Sequence, residues 1–299
     1  MRYFCAILLV LACSSPALSQ EDASLQGQLN ALIAAHQGKV ALYATDLRSG
    51  KSVALDAETP VPTASVIKLT ILFEALKQIE AGAVHFDDKL TLTKGDQVPG
   101  SGALRLFDTP LTLTLRDALT LMIDLSDNTA TNLVIDHIGL QNIDSRIAWL
   151  GLRNTWLYKK VFKPASGPVP ADQKQFGLGK TTAREMAEVM QRFATCDLNA
   201  PNSALPPSSA DQKLCAIAIG MLKGQFDSND IPRYLNVPVA NKTGALDDVR
   251  NDVGIVYAAH GPIVISIFTY KNKDQSWTAD NSAQLLIGKL AKAIVDHWQ

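Results

Sequence analysis

Residues 62–76 read PTASVIKLTILFEAL. The stretch carries Ser65 and, three positions on, Lys68, followed by Leu69, Ile71, Leu72, Phe73, Ala75 and Leu76, with Ile79 beyond. Apolar residues on every face predict a buried helix over 65–80. A lysine inside such a helix is costly unless it is paired or kept neutral by a lowered pKa. The i to i+3 spacing sets Lys68 on the face of Ser65, one turn along, so a desolvated lysine can take the hydroxyl proton. The free backbone N–H groups of a helix start also suit an oxyanion. Taken by themselves, the two residues read more readily as a serine cap and a lysine reaching solvent.

Outward from this helix the pattern divides the chain into two kinds of structure. On the N-terminal side a helix over 24–36 precedes strands over 40–46 and 52–55, joined at Ser49-Gly50-Lys51 as a hairpin. Downstream the periods are helical over 113–125, 129–138, 141–149, 181–194 and 210–223, interrupted by Pro/Gly/Ser-rich loops over 164–178 and 200–209. Strands return over 237–242, 252–259 and 262–270, and a helix over 281–297 ends the chain. Strands at both ends with helices between imply an α/β (α+β) fold in which the two ends build one antiparallel sheet. The expected single domain spans 20–299, its sheet part about 24–62 and 215–299 and its helical part about 63–214. A cleft between such parts is a natural home for a site.

Two further motifs fall at the edges of these elements. Ser126-Asp127-Asn128 lies between two predicted helices, where each residue also reads as a helix cap. Lys242-Thr243-Gly244 ends a predicted strand, where Gly244 also reads as the start of a hairpin turn.

The chain has 299 residues, 47% of them hydrophobic and 19% charged, with a formal net charge of -1. No basic block points to nucleic acid or an anionic membrane surface. Met1-Arg2, an apolar run over 3–12, Ser14-Ser15-Pro16 and Ala17-Leu18-Ser19 read as a signal peptide over 1–19, and so as a secreted or periplasmic protein with no retained membrane span. Lipoprotein processing at Cys13 is the competing reading. Export leaves Cys196 and Cys215 in the mature chain, where an oxidising compartment predicts one disulfide between them. The five histidines are scattered and no HExxH occurs, so neither a metal nor another cofactor is expected. The expected partner is a small molecule bound by a monomer.

Together, the three motifs occur in the order and on the elements found in class A β-lactamases and penicillin-binding proteins. The chain resembles the class A β-lactamase-like family of penicillin-recognising serine hydrolases over nearly all of its mature length. The resemblance implies a β-lactamase/transpeptidase-like fold: a five-stranded antiparallel sheet flanked by helices, with an inserted all-helical subdomain. It also implies roles. Ser65 is the nucleophile that forms an acyl-enzyme and Lys68 its base. Ser126 relays a proton to the leaving nitrogen, and Lys242 supplies positive potential. Asn128 holds the acyl side-chain amide and Thr243 the substrate carboxylate. The N–H groups of Ser65 and of Ala245, just past Gly244, form the oxyanion hole. Arg250 is similar to the family's second carboxylate-binding cation, and reads otherwise as an ordinary hairpin arginine.

One family feature is missing. Many class A enzymes carry Glu-x-x-Leu-Asn in a loop whose glutamate activates the deacylating water, whereas residues 156–164 here read WLYKKVFKP. No glutamate occurs from Ala148 to Ala183, and Asp172 is the only carboxylate in the following loop. Acylation thus has its residues and fast deacylation lacks its base. The expected function is a β-lactamase-family hydrolase acting on β-lactams with slow deacylation. The alternatives are a D-alanyl-D-alanine carboxypeptidase acting on cell-wall peptides, and a non-catalytic cell-wall peptide-binding protein.

Overall fold

The computed structural model describes residues 20–201 and 203–299, without the side chains of Gln20 and Glu21. The expected export segment 1–19, with Cys5 and Cys13, lies outside the described residues. The described chain opens with β1 (Gln20–Glu21), α1 (Ala23–Ile33) and the hairpin β2 (Lys39–Asp46) and β3 (Lys51–Leu55). Next come β4 (Val61–Pro62), a 3₁₀ turn (Ala64–Ile67) and α2 (Lys68–Glu80). β5 (Lys89–Leu92), β6 (Leu111–Thr114), α3 (Leu115–Asp124), α4 (Asn128–Ile138) and α5 (Leu140–Trp149) follow. β7 (Trp156–Leu157), the single turn α6 (Gln173–Phe176), β8 (Gly179–Thr181), α7 (Ala183–Thr195) and α8 (Ser209–Lys223) lead back to the sheet. β9 (Val239–Leu246), β10 (Val249–Ala258), β11 (Gly261–Tyr270) and α9 (Ser282–Trp298) complete it.

The main sheet has the order β3-β2-β11-β10-β9 and is antiparallel throughout. β1 extends its edge by two residues paired parallel to β3. The two ends of the chain meet at its centre, where Val40 of β2 faces Thr269 of β11. Both faces are covered, which is why β11 reads as the nearly unbroken apolar run GPIVISIFTY. Along β2 the side chains alternate: Ala41 and Tyr43 join the larger core with α2, α3, α4, α7 and α8, while Leu42 and Ala44 pack with Leu25 and Leu29 of α1 and with α9.

Three expectations need correction. The inserted region is not all helical, since β5 pairs with β6, and β4, β8 and β7 form a second small sheet. Strands of two to four residues are too short to declare a period, and Val61 finds its partner Thr181 far along the chain. Residues 65–67 belong to the 3₁₀ turn, and the α-helix starts at Lys68. The expected Cys196–Cys215 bridge is not formed: both residues are free thiols. Burial, followed by the neighbouring Cys196 thiol, pushes the Cys215 pKa up, so a thiolate is disfavoured at Cys215. Cys196 itself takes the left-handed position that ends α7 and turns its Sγ toward the carbonyl of Phe193.

Candidate active site

The site forms where the 3₁₀ turn, the α3–α4 junction and β9 converge. A 3₁₀ turn has three residues per turn, so Ser65 and Lys68 eclipse along its axis. The residue before the serine, Ala64, has φ 45, a left-handed backbone that costs about 1–2 kcal/mol in a non-glycine residue. Neighbouring bonds hold the strained segment. The Asn251 carboxamide donates to Pro62 O at 2.9 Å and to Thr63 O at 3.3 Å, and Thr63 N donates to Gly179 O at 3.0 Å. β9 packs so closely on this turn that a Cβ at Gly244 would lie 3.0 Å from the backbone nitrogens of Ser65 and Val66. Only glycine fits there, and the fit brings the Ser65 N–H beside the strand that carries Ala245.

Lys68 is fully buried. Its Nζ donates to Ser126 O at 2.7 Å, to Ser126 Oγ at 3.1 Å and to Asn128 Oδ1 at 3.1 Å. Burial holds its pKa well below the usual lysine value, the charge of Lys242 pushes the same way, and Asp127 opposes both. Lys242 is buried as well and donates to Thr243 O at 2.9 Å; burial lowers its pKa to about 8, against the pull of Asp252, Asp227 and Asp124.

All three residues of the second motif are placed by one cap. Asp127 caps α4 by accepting from Ala130 N at 2.9 Å. Its other oxygen accepts from Ala103 N and Leu104 N at 2.7 and 2.8 Å, tying the 101–104 loop to the helix. Ser126 before it is left-handed, with φ 52, and presents both its carbonyl and its hydroxyl to Lys68. Asn128 after it is held between Lys68 and Pro99 O.

Ser65, Ser126, Thr243, Gly244 and Ala245 line one cleft of about 450 Å³. Arg250 stands apart from them. Its guanidinium is buried and donates to the carbonyls of Leu246, Val249 and Ser276, under the ring of Trp277. Trp277, Phe226, Asp124 and Asp227 line the cleft instead, and sequence reading singled out none of them. It also missed Asn132, whose carboxamide bonds both backbone atoms of Val161; its place one turn after Asn128 was the available signal. Val161 thus occupies the fixed point of the loop that lacks a glutamate. Asp172 lies away from the cleft, bound to Lys180 and to the Tyr158 hydroxyl.

The arrangement sets a serine at a strained turn on a cleft beside two buried lysines of lowered pKa. Residues 24–298 match the β-lactamase enzyme family, and the chain belongs to that family. It is 22% identical to the β-lactamase regulatory protein BlaB of Streptomyces cacaoi, over 88% of this chain and 94% of that protein. Among solved structures, the β-lactamase from Sphaerobacter thermophilus aligns with a TM-score of 0.78 at 27% identity, covering 92% of this chain and 97% of that one. A leucine-to-glutamate variant of PBP-A, solved as an acyl-enzyme with penicillin G, aligns at 0.77 and 21% identity over 94% and 98% of the two chains. The protein has the β-lactamase/transpeptidase-like fold and is a β-lactamase-type hydrolase.

Proposed function

We propose that Ser65 attacks the β-lactam carbonyl and forms a covalent acyl-enzyme that water releases slowly. The observation that carries this reading is the buried Lys68, its pKa lowered and its Nζ 3.1 Å from Ser126 Oγ. A neutral Lys68 takes the Ser65 proton as the C–O bond forms, and Ser126 passes a proton to the departing nitrogen as the amide C–N bond breaks. The N–H groups of Ser65 and Ala245 receive the oxyanion. Lys242 keeps the proton relay electropositive, and Thr243 offers its hydroxyl to the substrate carboxylate. Slow release follows from Val161, an apolar side chain where Asn132 fixes the loop. That same residue favours a second reading, a D-alanyl-D-alanine carboxypeptidase that β-lactams trap. In either case the protein acts as an exported monomer, freed of residues 1–19.

A time course of nitrocefin hydrolysis at large and small enzyme ratios separates the two. Sustained turnover marks the lactamase, and a burst that stops at one equivalent marks the peptidase. Intact-protein mass spectrometry should find one penicilloyl adduct, absent from Ser65→Ala. An adduct that persists in that variant overturns the nucleophile; no adduct on the native protein with sustained turnover overturns the slow release, and neither adduct nor turnover overturns the reading altogether.

A further inference from the structure

Trp277 is 66% exposed, yet its loop is built firmly. Arg250 reaches across from β10 and donates through Nη2 to Ser276 O at 2.7 Å. Asn281 donates to the same carbonyl at 2.9 Å and to Asp274 O at 3.1 Å. Asp274 accepts from Ser276 N at 3.0 Å and from Ser282 N at 2.7 Å, and these bonds hold its carboxyl well below the usual carboxylate range. The indole itself rests on the Arg250 guanidinium, whose Cζ lies 4.5 Å from the ring centroid. A large apolar ring held this rigidly in water has its ordering cost met in advance, as a recognition surface does.

The position of the ring decides what it recognises. Trp277 and the 82%-exposed Phe226 line the same cleft as Ser126 and Thr243. On the proposed acylation mechanism, on which this inference rests, that end of the cleft receives the half of the substrate attached to the leaving nitrogen. Arg250 covers one face of the indole, and its positive charge there disfavours a second cation on the opposite face. What suits the open face is a neutral, flat, unsaturated group.

We propose that Trp277 is a specificity-determining residue that stacks on a neutral planar substituent carried by the leaving-group half of the substrate, and that Arg250 is the residue that positions it. Arg250 then acts on the substrate through Trp277 and not by binding its carboxylate.

Nitrocefin and cephalothin share the same thienylacetyl acyl side chain and the same ring carboxylate. Nitrocefin alone carries a conjugated aryl group on the leaving-group half. The quantity to measure is the ratio of their acylation efficiencies, compared between native protein and variants so that intrinsic reactivity cancels. Trp277→Ala should lower the nitrocefin-to-cephalothin ratio by about three- to tenfold, the range for one aromatic stack, chiefly through nitrocefin KM. Trp277→Phe should restore most of it. Arg250→Gln should lower the ratio too, and the double variant Arg250→Gln/Trp277→Ala should lose no more than Trp277→Ala alone. An unchanged ratio in Trp277→Ala overturns the stacking role. Additive losses, or an Arg250→Gln effect equal for both substrates, overturn the positioning role and return Arg250 to the shared carboxylate. Failure of the native protein to be acylated by either compound defeats the mechanism itself, a result distinct from acylation with an unchanged ratio.

Discussion

Asn132 holds Val161 by both ends of its side-chain amide: Nδ2 donates to Val161 O at 2.9 Å, and Oδ1 accepts from Val161 N at 2.8 Å. Asn128, one turn earlier on α4, contacts Lys68. The clamp therefore fixes one loop residue against the helix that helps build the active site, and that residue is apolar. A carboxylate introduced there tests whether this clamped position serves the deacylating water. Val161→Glu should shorten the life of the penicilloyl adduct by about tenfold or more, within the range of positioned base catalysis. Adduct decay followed by intact mass measures this, and an unchanged lifetime means the clamp does not aim residue 161 at the acyl group.

On the proposed mechanism Lys68 sets the pH dependence of acylation. Burial, and then the charge of Lys242, lowers its pKa and so enlarges the neutral, basic fraction, and protonation removes the base as pH falls through that depressed value. Acylation should therefore slow on acidification. Lys68→Arg, which cannot lose its proton, should slow acylation by ~10²–10⁴-fold at every pH. Stopped-flow labelling with a fluorescent penicillin gives both profiles. A flat profile for the native protein would place the base elsewhere.

Asp252 on β10 is fully buried, and burial pushes its pKa up to about 7 against the bonds from Asn241 and Ile231 N; Asp230 is raised as well, by burial and then by the charge of Asp252. A carboxyl whose folded pKa exceeds its unfolded value near 3.9 contributes most below that value, and loses the contribution as pH rises through the folded pKa. Asp252→Asn removes this titration. The variant should gain on the native protein by roughly 2–4 kcal/mol between pH 4 and pH 8. Paired urea denaturation curves across that window measure the gain, and a pH-independent difference would refute it.

Asp127 satisfies three backbone donors, Ala103, Leu104 and Ala130. Asp127→Ala removes a helix cap and strands two donors of the loop that faces the cleft. The loss should be about 3 kcal/mol by urea denaturation. Acylation should fall with it, since Ser126 and Asn128 lose their anchor. A variant of native stability would show that water replaces the carboxylate.

The three motifs were legible because each combines residue type, spacing and a local element, and local elements leave periods in sequence. The buried α2, the terminal strands and the meeting of the chain ends were legible for the same reason. What escaped depends on distance through space. Arg250 sits at the expected strand start, but its direction is set by the carbonyl of Ser276, in the loop that follows β11 in the chain. Trp277 is a lone aromatic in a polar turn and has no period to report. β7 and β8 are two- and three-residue strands whose partners lie far along the chain. The disulfide expectation came from compartment chemistry, and side-chain direction at the end of α7 left the two sulfurs as neighbouring thiols.

The pairing of β2 with β11 bears on how a newly made chain becomes this protein. β2 is among the first strands synthesised, and its inner edge has no partner until residues 263–270 have emerged. For most of synthesis the β2–β3 hairpin is an apolar ribbon with one open side, the shape that invites pairing with a neighbouring molecule. The helical insert can collect its own apolar faces in the meantime. The sheet therefore closes only after the helical insert has been made, and truncation between Leu55 and Ile263 leaves an open-edged apolar hairpin in place of a smaller enzyme.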